Sequence, residues 1–241
     1  MGHVESFQPR YCPIAGQESP HRMPAKPNKS VSPPAASAAP PLALREQNKQ
    51  DKRERIRDAA AELFTRQGYA DATMRQIATH AHVGLGTLFN YAADKRDLVF
   101  LIFNEELGQL TDTILAGTGT HETLMEQLMA IFAAHYRFFG SRTELSRILL
   151  QELTFYSQGK HAVEFQDIRH RLIAGIETRV AAAQAAGQLR RQEPAELVAR
   201  LLFFTYSAAV RWWIGAPTPQ ADAGLAELRR LLQMQMDGLA T

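Results

Sequence analysis

The chain has little cysteine, little net charge and no long uncharged apolar run. Cys12 is the sole cysteine among 241 residues, so no internal disulfide can form and a reducing cytoplasm is the expected compartment. The net charge of +2 supplies no global field that would indicate a nucleic-acid or membrane partner. The best apolar run, residues 201–210, is bounded by Arg200 and Arg211 and is shorter than the roughly 18 residues of a membrane helix. We therefore expect no membrane association, and any nucleic-acid partner has to be inferred from local patterns.

Proline is scarce outside the N-terminal segment. The first 41 residues contain nine of the 12 prolines, and only two aromatic residues precede residue 50. Such a composition buries too little apolar surface to offset the entropy of ordering, so residues 1–44 are predicted to be a disordered extension. Met23 is an alternative start within this segment. Residues 45–98 and 99–241 are predicted to form two helical domains.

Strand signals are absent after residue 45, because no run of alternating β-branched residues occurs there. An all-α fold is predicted. Ile56, Ala60 and Leu63 share one face of a first helix, and Gly68 supplies its left-handed stop. Longer amphipathic segments at 122–140, 143–157, 162–187, 194–214 and 221–239 predict a larger C-terminal helical domain.

A helix-turn-helix pattern follows the first helix. Thr73 and Gln76 form a T-x-x-Q capping box for a short second helix, and His82-Val83-Gly84 separates it from a third. Leu85, Leu88 and Phe89 give the third helix its apolar side. Its outward set is Gly86, Thr87, Asn90 and Tyr91. Asn pairs well with adenine and a Thr methyl with the thymine methyl, so Asn90 and Thr87 are predicted to read bases, whereas Tyr91 and Lys95 are predicted to hold phosphates.

The segment from Thr73 to Lys95, TMRQIATHAHVGLGTLFNYAADK, resembles the DNA-binding signature of the TetR/AcrR family of bacterial transcriptional regulators. The resemblance implies that Thr73 contacts phosphate, that Thr87, Phe89, Asn90 and Tyr91 face the DNA groove, and that Lys95 anchors the DNA backbone. The chain departs from the family pattern at His82, Phe89 and Ala92. His82 replaces the usual turn glycine, so we expect backbone strain there.

A cluster of basic residues lies at the entry to the first helix: Arg45, Lys49, Lys52, Arg53, Arg55 and Arg57. Such a cluster can contact phosphates or the adjacent minor groove. A solvated helix face with i,i+4 ion pairs is an equal alternative.

Two further sites are predicted in the C-terminal domain. An effector pocket is predicted from aromatic and histidine side chains at helical spacing, with ordinary core packing as the alternative for each: Phe132, His135, Phe139, Phe155, Tyr156, Phe165 and His170. A homodimer interface is predicted from the apolar residues of the last two helices: Leu201, Phe204, Ala208, Trp212, Leu225, Leu228 and Leu232.

The resemblance implies a cytoplasmic repressor that a small-molecule effector releases from a near-palindromic operator, with activation as an alternative. An effector-independent architectural DNA-binding protein and an all-helical enzyme are the competing interpretations. The common catalytic motifs are absent from the sequence, and no cofactor is expected. His80 and His82 straddle the turn, so no metal site is expected either.

Overall fold

A computed structural model describes residues 42–117, 123–153, 159–190 and 192–239. Across these residues the chain forms helices and no strand, which confirms the all-α prediction. The helices in chain order are α1 (Leu42–Arg66), α2 (Met74–His80), α3 (Leu85–Tyr91), α4 (Lys95–Gly117), α5 (Leu124–Gly140), α6 (Thr143–Glu152), α7 (Lys160–Ala185), α8 (Ala195–Ile214) and α9 (Ala221–Leu239).

Two predicted boundaries differ from the structure. Helix α1 begins at Leu42, inside the predicted extension, directly after the adjacent prolines Pro40 and Pro41. Proline is tolerated at the start of a helix but not in its interior, so this pair permits an earlier start than apolar periodicity indicates. Helix α6 ends at Glu152, whereas the sequence predicts a helix to residue 157; residues 154–158 lie outside the described residues.

The turns of the helix-turn-helix unit have the predicted geometry. Thr73 accepts a hydrogen bond from the backbone N–H of Gln76, whose side chain accepts one from the Thr73 N–H, completing the capping box. Gly68 has a φ of 89° after α1, and His82 has a φ of 53° between α2 and α3. His82 is therefore in the left-handed region, where a side chain costs about 1–2 kcal/mol.

Helix α4 joins the helix-turn-helix unit to the larger helical domain. Its first half is buried almost all round, from Leu98 to Phe103, and it packs against α1 on one side and α5, α6 and α7 on the other. One hydrophobic core therefore continues from α1–α3 into the helices that follow. A displacement of α4 would change contacts in both regions.

Helix α8 is long and apolar enough to cross a membrane by length and composition alone. The sequence criterion, which required an uncharged run, did not predict this. In the structure α8 packs against α5, α6, α7 and α9, and Ala199, Leu202 and Val210 lie in the core. We interpret α8 as a core helix of the C-terminal domain.

Candidate DNA-binding surface and effector cavity

Helix α3 displays a polar face outward. Its inner side is formed by Leu88, which is 0% exposed, while Gly86, Phe89 and Asn90 are exposed and Thr87 is half-buried. The prediction that Phe89 belongs to the apolar side of α3 is wrong, because its ring is 47% exposed. A surface that combines an exposed amide, a hydroxyl, an aromatic ring and a glycine on one short helix matches what the DNA major groove admits.

Two residues predicted to hold phosphates are engaged within the chain. The Tyr91 hydroxyl donates to the Lys49 carbonyl at 3.2 Å, which ties the end of α3 to α1. The Lys95 ammonium donates to the carbonyls of Tyr69 and Ala70 at 2.7 and 3.0 Å and lies 4.8 Å from the centre of the Tyr69 ring. Lys95 therefore holds the turn after α1. The sequence instead predicts a cation at this position that is available to bind phosphate.

The N-terminus of α7 is bonded to the C-terminal end of α3. Lys160 Nζ donates to the Asn90 carbonyl at 2.9 Å, and His161 Nε2 donates to the Tyr91 carbonyl at 3.0 Å. The His161 backbone N–H donates to the buried carboxylate of Asp97, in the first turn of α4, at 2.9 Å. We call this set the α7–α3 joint. No sequence pattern predicts this joint, because the accepting carbonyls are on the backbone and the partners are 70 residues apart.

The two oxygens of the Asp97 carboxylate bond to the starts of both α4 and α7. One carboxylate oxygen accepts from the Ala93 N–H at 3.0 Å, while the Asp97 N–H donates to the Asp94 side chain at 2.9 Å. Asp94 and Asp97 thus cap the N-terminus of α4. The other oxygen takes the bond from α7, so a single buried carboxylate orients the starts of two helices.

The basic cluster of α1 borders an open groove beside α3. Lys49, Lys52 and Arg53 line this groove opposite Thr87 and Asn90. Some of the charges are matched: Arg53 lies 3.7 Å from Glu105, and Arg57 donates to Asp58 at 2.9 Å. The cluster therefore combines a solvated, ion-paired part with cations that adjoin the outward face of α3.

A cavity of about 160 Å³ lies within the C-terminal domain, among α4, α5, α6, α7 and α8. Its wall is mostly apolar, and among the described residues that line it the polar or charged ones are Arg169, Ser207 and Tyr206. The apolar part of the wall includes Leu107, Phe139, Leu150, Phe165, Ile168 and Phe203. Apolar walls with a few polar groups are typical of small-molecule sites.

The structure separates the predicted pocket residues. Phe139 and Phe165 line the cavity. Phe132 is instead a core residue that stacks on Tyr206, with ring centres 4.4 Å apart. His170 is exposed on α7, so its assignment to the pocket is wrong: it falls two residues after Ile168, on the opposite side of the helix. Phe155 and Tyr156 lie outside the described residues.

His135 is a core histidine beside this cavity. Its Nδ1 donates to the Ile131 carbonyl at 2.9 Å, which fixes the tautomer, and its ring meets Tyr206 edge-on at 5.8 Å. Burial lowers the pKa of His135, and the bond to Ile131 opposes this only in part. The imidazole is therefore neutral near neutral pH and contributes packing instead of charge.

Two arginines flank one end of the cavity. Arg169 lines it from α7, and the described residues contain no hydrogen bond or ion pair of its guanidinium. Arg211 donates to the carbonyls of Leu150 and Ser207 at 3.3 and 2.9 Å and to the Ser207 hydroxyl at 2.5 Å. Burial lowers the pKa of Arg211; the neighbouring Tyr206 opposes this and the like charge of Arg169 adds to it.

Most of the predicted dimer residues form an apolar stripe on the outside of α8. Leu201, Phe204 and Trp212 are 44%, 60% and 76% exposed, and Ala208 is exposed between them. The assignment of Leu228 and Leu232 to the interface is wrong, because both are 0% exposed in the core of the chain itself. Leu225 is partly buried. The sequence missed Leu197 and Met234, which extend the exposed stripe over α8 and α9.

This arrangement defines a class of protein: a helix-turn-helix DNA-binding regulator with a separate cavity-bearing helical domain. Residues 56–102 match the family model of bacterial regulatory proteins of the tetR family. The matched residues run from α1 into α4, so this part of the chain is similar to the DNA-binding domain of TetR-family transcriptional regulators.

The chain also matches several transcriptional regulators over most of their length. The chain is 27% identical over 212 residues to the HTH-type transcriptional repressor KstR2 of Rhodococcus jostii, covering 84% of this chain and 98% of KstR2. It resembles the structure of the Thermus thermophilus repressor FadR in complex with lauroyl-CoA, with a TM-score of 0.59, 26% identity and coverage of 75% and 93%. The Bacillus subtilis FadR complex with stearoyl-CoA has a TM-score of 0.62 at 20% identity, with coverage of 77% and 98%, and shows the fold alone.

Proposed function

We propose that the chain is a homodimeric repressor that leaves a near-palindromic operator when a small molecule fills the cavity of the C-terminal domain. The outward polar face of α3 is the observation that carries the proposal. Core packing needs only Leu88 and its neighbours, so it does not require Gly86, Thr87 and Asn90 to share one exposed face. Recognition of base edges does require such a face.

The dimer sets the spacing of the DNA site. The exposed stripe of α8, from Leu201 to Trp212, is large and apolar for a surface that meets only water. A two-fold axis through this stripe would present two copies of α3 to half-sites about 34–36 Å apart, or a multiple of that distance. The operator is then a near-palindrome, and Asn90 reads the same base in each half.

Two helices connect the cavity to α3. Leu107 of α4 lines the cavity, and α4 begins directly after the helix-turn-helix unit. Phe165 and Ile168 of α7 also line it, and α7 begins at the α7–α3 joint. A ligand that shifts either helix thus displaces α3. A coupling free energy of about 1–3 kcal/mol would lower operator affinity about 5- to 150-fold.

The cavity indicates the size of the effector. A volume of about 160 Å³ is close to that of an engineered cavity that holds benzene, so an apolar group of about six carbons fits without rearrangement. The lauroyl-CoA complex of the Thermus thermophilus repressor supports an effector with an acyl chain. The cavity favours this function over an architectural DNA-binding protein, which needs none. We place the action in the cytoplasm and assign the chain no catalytic step.

Selection of bound sequences from random duplex DNA tests the DNA-binding part of this proposal. The purified chain should enrich a near-palindrome, and sedimentation should give the mass of two chains on each bound duplex. Failure to enrich any sequence at low salt would overturn the proposal. Enrichment of a site bound by a single chain would overturn the dimer alone.

A further inference from the structure

We propose that Arg169 binds the acidic group of the effector, so that the cavity takes an amphipathic anion: an apolar group of about six carbons that carries a carboxylate or phosphate. This inference rests on the proposed function and specifies its ligand. The first observation is the position of Arg169, which is the one charged residue among the described residues that line this mostly apolar cavity. Arg169 is half-buried there, and a guanidinium binds carboxylates and phosphates through charge-assisted hydrogen bonds.

The second observation is that none of the described residues lining the cavity is an acid. The ion pairs and hydrogen bonds of the described residues give Arg169 no partner, although the next arginine along α7, Arg171, pairs with Asp112 at 3.0 Å. Arg169 therefore carries a positive charge that no carboxylate of the described residues pairs with.

Arg211 adds a second positive charge near Arg169, although it does not itself line the cavity. Its guanidinium donates hydrogen bonds to the Leu150 and Ser207 carbonyls and to the Ser207 hydroxyl, which are all neutral acceptors. Arg211 thus holds α6 against α8 and keeps a second positive charge near Arg169 without neutralising it. A bound carboxylate would relieve the repulsion between the two guanidinium groups, and Arg169 can bind it through two parallel N–H donors.

A matched pair of ligands tests the charge requirement. Hexanoate and hexan-1-ol share a six-carbon chain and differ in the charge of the terminal group. Titration calorimetry on the full chain should show hexanoate binding at least about 10-fold more tightly than hexan-1-ol, because a hydrogen bond to a charged group is worth about that factor. A third probe, hexanoyl-CoA, distinguishes a free carboxylate from the phosphates of a thioester as the source of the anion.

Variants of Arg169 test the residue. Arg169→Gln should weaken binding of the preferred anion about 10- to 100-fold and leave hexan-1-ol binding unchanged, whereas Arg169→Lys should restore part of the affinity. Arg171→Gln is the matched control on the same helix and should bind like the wild type. Release of a fluorescent operator duplex, measured by anisotropy, should follow the same order.

Three results would overturn the inference: equal affinity for hexanoate and hexan-1-ol, anion binding unchanged in Arg169→Gln, or no binding of either anionic probe. Each of these leaves operator binding by the unliganded chain intact, so the inference can fail while the DNA-binding function stands. Conversely, a chain that binds these anions through Arg169 but enriches no DNA sequence would overturn the proposed function.

Discussion

Gly86→Ala separates the stability of α3 from its contact with DNA. Gly86 is exposed in the first turn of α3, and a Cβ built on it meets no atom within 4 Å. Alanine is favoured over glycine within a helix by about 0.8–1 kcal/mol, and part of this preference applies in the first turn. We therefore expect the free energy of unfolding to rise by about 0.5–1 kcal/mol, which raises the Tm by about 1–4 °C for a chain of this size.

The same methyl group should weaken operator binding. Gly86 lies next to Thr87 on the outward face of α3, where a methyl would separate the helix from the base edges. Loss of one good base contact costs about 1–3 kcal/mol, so affinity for the selected duplex should fall about 5- to 150-fold in an anisotropy titration. Gly238→Ala is the control, because its Cβ also meets nothing and α9 is remote from α3 in sequence. Equal operator affinities for the two variants would refute the assignment of this face to DNA.

Four further predictions concern stability and assembly. His82→Gly should raise the Tm by relieving the backbone at φ 53°, while His82→Ala should not; a lower Tm for the glycine variant would contradict the strain. Burial lowers the pKa of His135 in the folded chain, so protonation favours the unfolded chain. The free energy of unfolding should therefore fall as pH drops below about 6.5, by at most about 1.4 kcal/mol per pH unit. His135→Leu should flatten this part of the stability-against-pH profile, and an unchanged slope would contradict the assignment. Gly224→Ala should lower the free energy of unfolding by about 1–3 kcal/mol in urea titrations, because its Cβ would lie 2.6 Å from Trp213 Cδ1. Trp212→Arg should yield folded monomers by sedimentation, and a persistent dimer would exclude the α8 stripe as the interface.

The helix-turn-helix unit was predictable because its signals are local. The Thr73 capping box, the Gly68 stop and the turn at His82 each depend on a few neighbouring residues, and the structure has all three. The start of α1 at Leu42 was harder to predict from the sequence, since polar residues dominate the first turns of α1 and only its later part faces the core.

The site in the C-terminal domain was only partly predictable, because its parts come from distant segments. Periodicity identified Phe139 and Phe165 as inward-facing, but it could not tell that Phe132 packs on Tyr206 while Phe139 lines a cavity. Likewise, the sequence pattern assigned Leu228 to the dimer interface, and only the packing of α9 against α5 and α8 decides that it is core. Arg169 carries no sequence signal at all; its meaning depends on the apolar wall around it.

The most direct test of the central claim compares DNA selection by the wild type, Asn90→Ala and Lys52→Ala. Asn90 is exposed on the outward face of α3, and Lys52 lines the groove beside it. We expect Asn90→Ala to lose base preference at one position in each half-site, by about 1–3 kcal/mol. Lys52→Ala should keep the sequence preference and weaken binding to all duplexes, with a shallower salt dependence. Identical sequence preferences in all three proteins would contradict the assignment of base recognition to this helix.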